Sequence, residues 1–158
     1  ASLPLPQADT YIPLFLDAIR IGDEPTVIFM LKLFGLVFFN NANNGGPNVA
    51  LVRAAQNGNR QIFEKLLNFG TLLPSPETFI NQRDVINQTP LLAAIDNGHE
   101  EIAVRLLQDT RINPNIPDIL LSTPLFAAAR QGMVRVVERL LQFPIFINQI
   151  DIGGYTPL

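Results

Sequence analysis

His99 is the only histidine in the chain, and Glu100 and Glu101 directly follow it. This is the one stretch where general acid–base chemistry could be assembled. Such chemistry needs a nucleophile beside a base, a third group to orient that base, and donors for developing charge. Nothing near His99 supplies them. His99 follows Gly98 at what reads as a turn, where an imidazole has a structural role. Glu100 and Glu101 then fall in the first turn of a helix, where the helix dipole favours carboxylates. No spacing of His, Asp and Glu has the pattern of a metal site, and with no cysteine there are no thiolate ligands, thiol nucleophiles or disulfides. The run Asn43-Asn-Gly-Gly-Pro-Asn48 lacks the preceding strand, following helix and lysine of a phosphate cradle, and reads as an inter-repeat turn. Asn87-Gln-Thr89 matches a glycosylation sequon, but Thr89 is better placed as a helix cap. The chain is therefore read as a non-enzyme with no cofactor.

The bulk properties point the same way. The chain has 158 residues, 47% of them hydrophobic and 16% charged, so much of it must be buried internally or against a partner. A net charge of −3 and a scattered set of basic residues argue against nucleic acid. No signal peptide is visible at Ala1-Ser-Leu-Pro-Leu-Pro6, and the missing initiator Met is consistent with a chain cut from something larger. Val27 to Phe39 is the most apolar run. It is too short for a bilayer of ~30 Å and reads as a buried helix, so no membrane insertion is expected.

What must position these residues is a repeat. Thr89-Pro-Leu-Leu-Ala-Ala-Ile-Asp-Asn-Gly98 aligns with Thr123-Pro-Leu-Phe-Ala-Ala-Ala-Arg-Gln-Gly132, and Thr156-Pro-Leu158 begins again; the Thr spacings are 34 and 33 residues. Asp84, Asp118 and Asp151 stand five residues before each Thr, and Asn81, Asn115 and Asn148 eight before. Ile102 with Leu106-Leu107 and Val136 with Leu140-Leu141 follow each Gly at matching offsets. Ala50 to Gly58 with Ile62 and Leu66-Leu67 is a weaker copy, and Pro13 to Gly22 with Met30-Leu31 a looser one. About seven extra residues fall in Thr71 to Thr78, where Pro74 and Pro76 are expected to break any helix. Each copy reads as two short helices: Thr as the cap, Pro at the first position, Gly to end the first helix, and an apolar face on the second. Such a pair cannot bury its own apolar face alone, but stacking on neighbours can.

These residues resemble the ankyrin repeat. The resemblance covers residue 10 to the end and implies an all-α solenoid of stacked helix-turn-helix units with short β-turn or hairpin loops. It places repeats at about 10–43, 44–83, 84–117 and 118–150 with a partial copy at 151–158, all in a single domain, 1–158. The His that follows Thr-Pro-Leu in the family is Leu92 and Phe126 here, so the Thr–His hydrogen bond should be absent and apolar packing should replace it. The chain stops inside a repeat, so the natural protein is expected to continue.

The resemblance also implies recognition of a protein partner through the hairpin tips and the concave helix face. The tip positions are Val85, Ile86, Ile119, Leu120 and Ile152; the helix-end positions are Asp96, Asn97, Arg130 and Gln131. Three successive apolar tips bordered by polar residues mark an interaction site, although adjacent tips or a missing part of the chain could cover them. Similarly, Val27 to Phe39 leaves a first repeat little polar outer face; either Leu3 to Ile12 fold back over it, the favoured reading, or it docks on another domain. High Asn, Gln and Ile content with irregular repeat lengths resembles ankyrin proteins of bacteria living inside eukaryotic cells. That implies a cytoplasmic protein, or an effector secreted into a host cell's cytoplasm to act on host proteins. A targeting segment of a larger enzyme and an assembly module are the competing readings.

Overall fold

A computed structural model of the chain describes residues 8–40 and 49–158; the Asn43 to Asn48 run and Leu3 to Gln7 lie outside these. Among the described residues the structure is all-α. Four antiparallel helix pairs follow one another: α1 (Ala8–Ile21) with α2 (Glu24–Asn40), α3 (Ala50–Asn57) with α4 (Arg60–Gly70), α6 (Pro90–Asp96) with α7 (Glu100–Leu106), and α8 (Pro124–Gln131) with α9 (Val134–Leu140). A short α5 (Pro76–Ile80) lies between the second and third pairs. The first helices stack α1 on α3 on α6 on α8, and the second helices flank them as an outer layer.

Local chemistry sets these elements. Thr89 caps α6 and Thr123 caps α8: each hydroxyl oxygen accepts from the backbone N–H three residues on, Leu92 at 3.2 Å and Phe126 at 3.3 Å. Their backbones agree within a few degrees, φ −83 and ψ 164 against φ −85 and ψ 162, each with Pro following at the start of the helix. Gly58 ends α3 with φ 74, a conformation that costs other L-residues about 1–2 kcal/mol.

The apolar seam runs through every pair. Phe15, Ile19, Leu51, Ile62, Phe63, Leu66, Leu92, Ile95 and Leu106 are fully buried, and the Ala pairs at 54–55, 93–94 and 127–128 let the inner helices approach closely. Leu92 fills the place where the family has His, with Thr89 satisfied by capping instead.

Three expectations need correction. Pro76 does not break a helix but starts α5, because proline's missing N–H costs nothing in a first turn; Phe79 and Ile80 of α5 are buried in the shared core. The helix α1 begins at Ala8, upstream of Pro13, which sits inside it. Over residues 24–35 the helix α2 is buried on one face only: Val27, Met30 and Leu31 are covered, whereas Phe29 is 61% and Leu33 56% exposed. Tyr11 of α1 does reach back to α2, stacking on Phe34 with ring centroids 5.2 Å apart.

Candidate functional site

Each aspartate of the repeat builds the same turn. Asp84 accepts through one side-chain oxygen from the N–H of Ile86 at 3.0 Å and of Gln88 at 2.9 Å. Asp118 does so with Leu120 and Ser122, and Asp151 with Gly153 and Tyr155, all within 2.8–3.0 Å. A carboxylate two and four residues from its donors closes the loop without any strand, as aspartate does in turns. The third residue after each Asp is left-handed: Asn87 at φ 57, Leu121 at φ 59, Gly154 at φ 79. Successive tips are tied by a backbone bond, Ile119 N–H to the Ile86 carbonyl at 3.1 Å and Ile152 N–H to the Leu120 carbonyl at 3.0 Å.

This frame turns the predicted tip side chains outward in a row. Val85 is 95% exposed, and Ile86, Ile119, Leu120 and Ile152 are all exposed. The tips touch through backbone and leave these side chains uncovered. Leu121 continues the row and was not anticipated. Its signal was legible, since a large apolar residue stands where its two counterparts are Asn and Gly, the residues suited to a left-handed backbone.

The helix-end residues behave differently. Gln88, at the base of the first tip, donates to the Asp96 carboxylate at 3.0 Å and accepts from Gln56 at 2.8 Å. Arg130 donates to the other Asp96 oxygen at 3.1 Å, and Gln131 to the Asp96 carbonyl at 3.2 Å. A polar chain thus crosses three helix pairs at the inner layer and joins the tips to the helix ends. Burial pushes the Asp96 carboxyl above the ordinary carboxylate range, against the pull of Arg130 and Gln88. Asn97 stays apart from this chain and donates to the Ala93 carbonyl of its own helix at 2.8 Å.

His99 closes the turn between α6 and α7. Its Nε2–H donates to the Gln56 carbonyl at 2.9 Å, and the contact fixes the tautomer because a carbonyl can only accept. That ring nitrogen ties the turn to the backbone of another repeat. Glu100 and Glu101 lie in the first turn of α7 and pair with Arg135 of α9, at 3.7 and 2.6 Å. Among the described residues no group of three or more His, Cys, Asp or Glu could hold a metal ion, and no helix is long and apolar enough to cross a membrane.

A family model for ankyrin repeats in three copies matches residues 14–118. The chain belongs to the ankyrin-repeat family. No curated protein was found to be similar to it. Ankyrin repeats generally mediate protein–protein interaction and are typically non-catalytic, in keeping with a surface of exposed apolar tips and paired polar helix ends. The match takes in most of the weak first copy, with α2 and the greater part of α1, and ends at residue 118, before the Thr123 copy.

Proposed function

We propose that this ankyrin array, acting as one domain over residues 1–158, recognises a partner protein through its three tips and the polar ends of its inner helices. One observation carries the reading: three turns of identical hydrogen bonding hold Val85, Ile86, Ile119, Leu120 and Ile152 in one exposed apolar row. Apolar side chains on a rigid frame lose little entropy on docking, and such rows form the desolvated centre of an interface. Asp96, Arg130 and Gln131, already held by one another, border the row as a polar rim, and Asn97 offers a further amide beside them. Leu121 supports the reading from another direction, because a left-handed leucine is a local cost that tends to persist where function requires it. The Asn-, Gln- and Ile-rich composition supports placing the protein among bacterial effectors that act on host proteins in the host-cell cytoplasm.

The test is affinity capture from host lysate with the parent chain and with Ile86→Asp, Ile119→Asp and Ile152→Asp combined. The triple variant should retain its helical circular dichroism and lose the captured protein. Capture that survives the triple change removes the tips from consideration.

A further inference from the structure

The outer layer carries a second surface that the tip reading does not use. A groove of about 810 Å³ lies between α2 and α4, on the scale of ligand sites of ~300–1,000 Å³. On α2, Ile28, Leu31 with Lys32, and Gly35 follow at i, i+3/i+4 and i+7; on the facing side stand Lys65 and Phe69 of α4 and Leu72 in the turn just past its end. Seven residues of helix span roughly 10 Å, or two turns. The α2 wall of the groove is therefore two turns long, and it faces α4 of the next pair in the stack. The Phe69 ring lies across Gly35, where an added Cβ would come within 2.5 Å of it, and this contact forms the floor.

The charges on the walls are specific. Lys32 and Lys65 are the chain's two lysines, one on each wall, and both are exposed. Among the described residues neither has a carboxylate partner, whereas Arg20, Arg105, Arg111, Arg130 and Arg135 all form ion pairs. An apolar channel with one cation on each bank complements an apolar stripe with one anion on each side.

We infer that this groove docks an amphipathic helix whose apolar stripe, at i, i+3/i+4 and i+7, is bordered on both sides by carboxylates. A helix laid along the channel reaches the floor with its apolar face and both lysines with its flanks, the helix-in-groove mode of recognition. A single fatty-acid carboxylate would satisfy one lysine and leave the other. A flat lipid surface would meet the rims, Leu33 and Leu72, without reaching Phe69.

The experiment uses the whole chain and two labelled synthetic helices, one with leucines in that stripe and glutamates on both flanks, the other with lysines replacing the glutamates. Fluorescence anisotropy should show binding of the acidic peptide alone. Lys32→Glu with Lys65→Glu should weaken it about tenfold or more, and Leu33→Ser with Leu72→Ser should weaken it with unchanged circular dichroism, since all four side chains are exposed. The triple tip variant should bind the peptide as the parent does, which separates this site from the tips. Equal binding of the two peptides, no binding of either, or indifference to the double charge reversal overturns the inference. So does uptake of anionic vesicles without peptide binding, which assigns the patch to a lipid surface, or self-association that excludes the peptide, which assigns it to a second copy.

Discussion

His99 and Gly58 meet across two helix pairs: a Cβ added at Gly58 would fall 2.3 Å from the imidazole, whose Nε2–H is bonded to the Gln56 carbonyl. The corresponding turn at Gly98 has nothing within 4 Å of such a Cβ, although its φ of +79 is much like the +74 of Gly58. Backbone strain is thus shared and the clash is not. Gly98→Ala should cost about 1–2 kcal/mol for the left-handed backbone alone, whereas Gly58→Ala should cost about 1–2 kcal/mol more by displacing His99 from the half-buried Gln56 carbonyl. Urea denaturation measures both. In the His99→Ala background the two substitutions should cost the same; a persistent gap would show that the ring is not what Gly58 accommodates.

The caps at Thr89 and Thr123 are chemically the same device, so removing either should have the same price in stability. Each Thr→Ala change should lower stability by about 1 kcal/mol, and thermal melts should place the two variants within ~0.5 kcal/mol of each other. A several-fold difference would mean that the two threonines do not share one environment.

Leu121 holds φ 59 where Asn87 and Gly154 take the same region without difficulty. Leu121→Asn should raise stability by roughly 0.5–1 kcal/mol, because asparagine tolerates the left-handed region and the leucine is already exposed. The same change should weaken partner capture if the apolar row extends this far. A lowered melting temperature would contradict the first expectation, independently of the second.

Two carboxylates impose opposite pH slopes. The Arg111 side chain beside Asp109, bonded at 2.5 and 2.8 Å, holds that carboxyl below its ordinary value of 3.8. Its stabilising contribution is present above 3.8 and is lost as pH falls below that value through the folded pKa. Burial raises Asp96, so the folded state binds its proton more tightly, and stability declines as pH rises from 3.8 through the folded pKa. Denaturation across pH 3 to 6, a span of about three units chosen to bracket ordinary carboxylate values, should show Asp109→Asn flattening the acid limb and Asp96→Asn flattening the opposite one. Identical effects of the two substitutions would refute the assignment.

The parts of the fold that were legible in sequence are those made by contacts over a few residues. Thr-Pro caps, the Asp-centred turns and the Gly-terminated helices each depend on neighbours within about one helical turn, so their spacing alone revealed them. The tips could likewise be placed, because the Asp oxygens fix where Val85, Ile119 and Ile152 stand. What sequence could not supply was distance across repeats. His99 could be assigned to a turn, but not its bond to Gln56, 43 residues earlier. The Asn81 and Asn115 anchors were visible as a period without a cause. In the structure each amide spans to the following repeat, Asn81 to the Arg111 carbonyl and Asn113 N–H, Asn115 to the Pro144 carbonyl and Phe146 N–H. The α2–α4 groove was equally hidden, since its two walls are separate segments whose facing depends on the stack. Pro76 misled because a proline reads as a breaker until the helix boundary beside it is known.

The Asn81 and Asn115 amides have a mechanical consequence. Each ties its own repeat to the one that follows, as the tip bonds and the Asp96–Arg130 pair also do, so among the described residues these ties join successive units and a pull on the last helix pair loads one junction at a time. Under such a load the molecule would peel from its end like a strip of fasteners, releasing length in similar steps while the remainder keeps its shape.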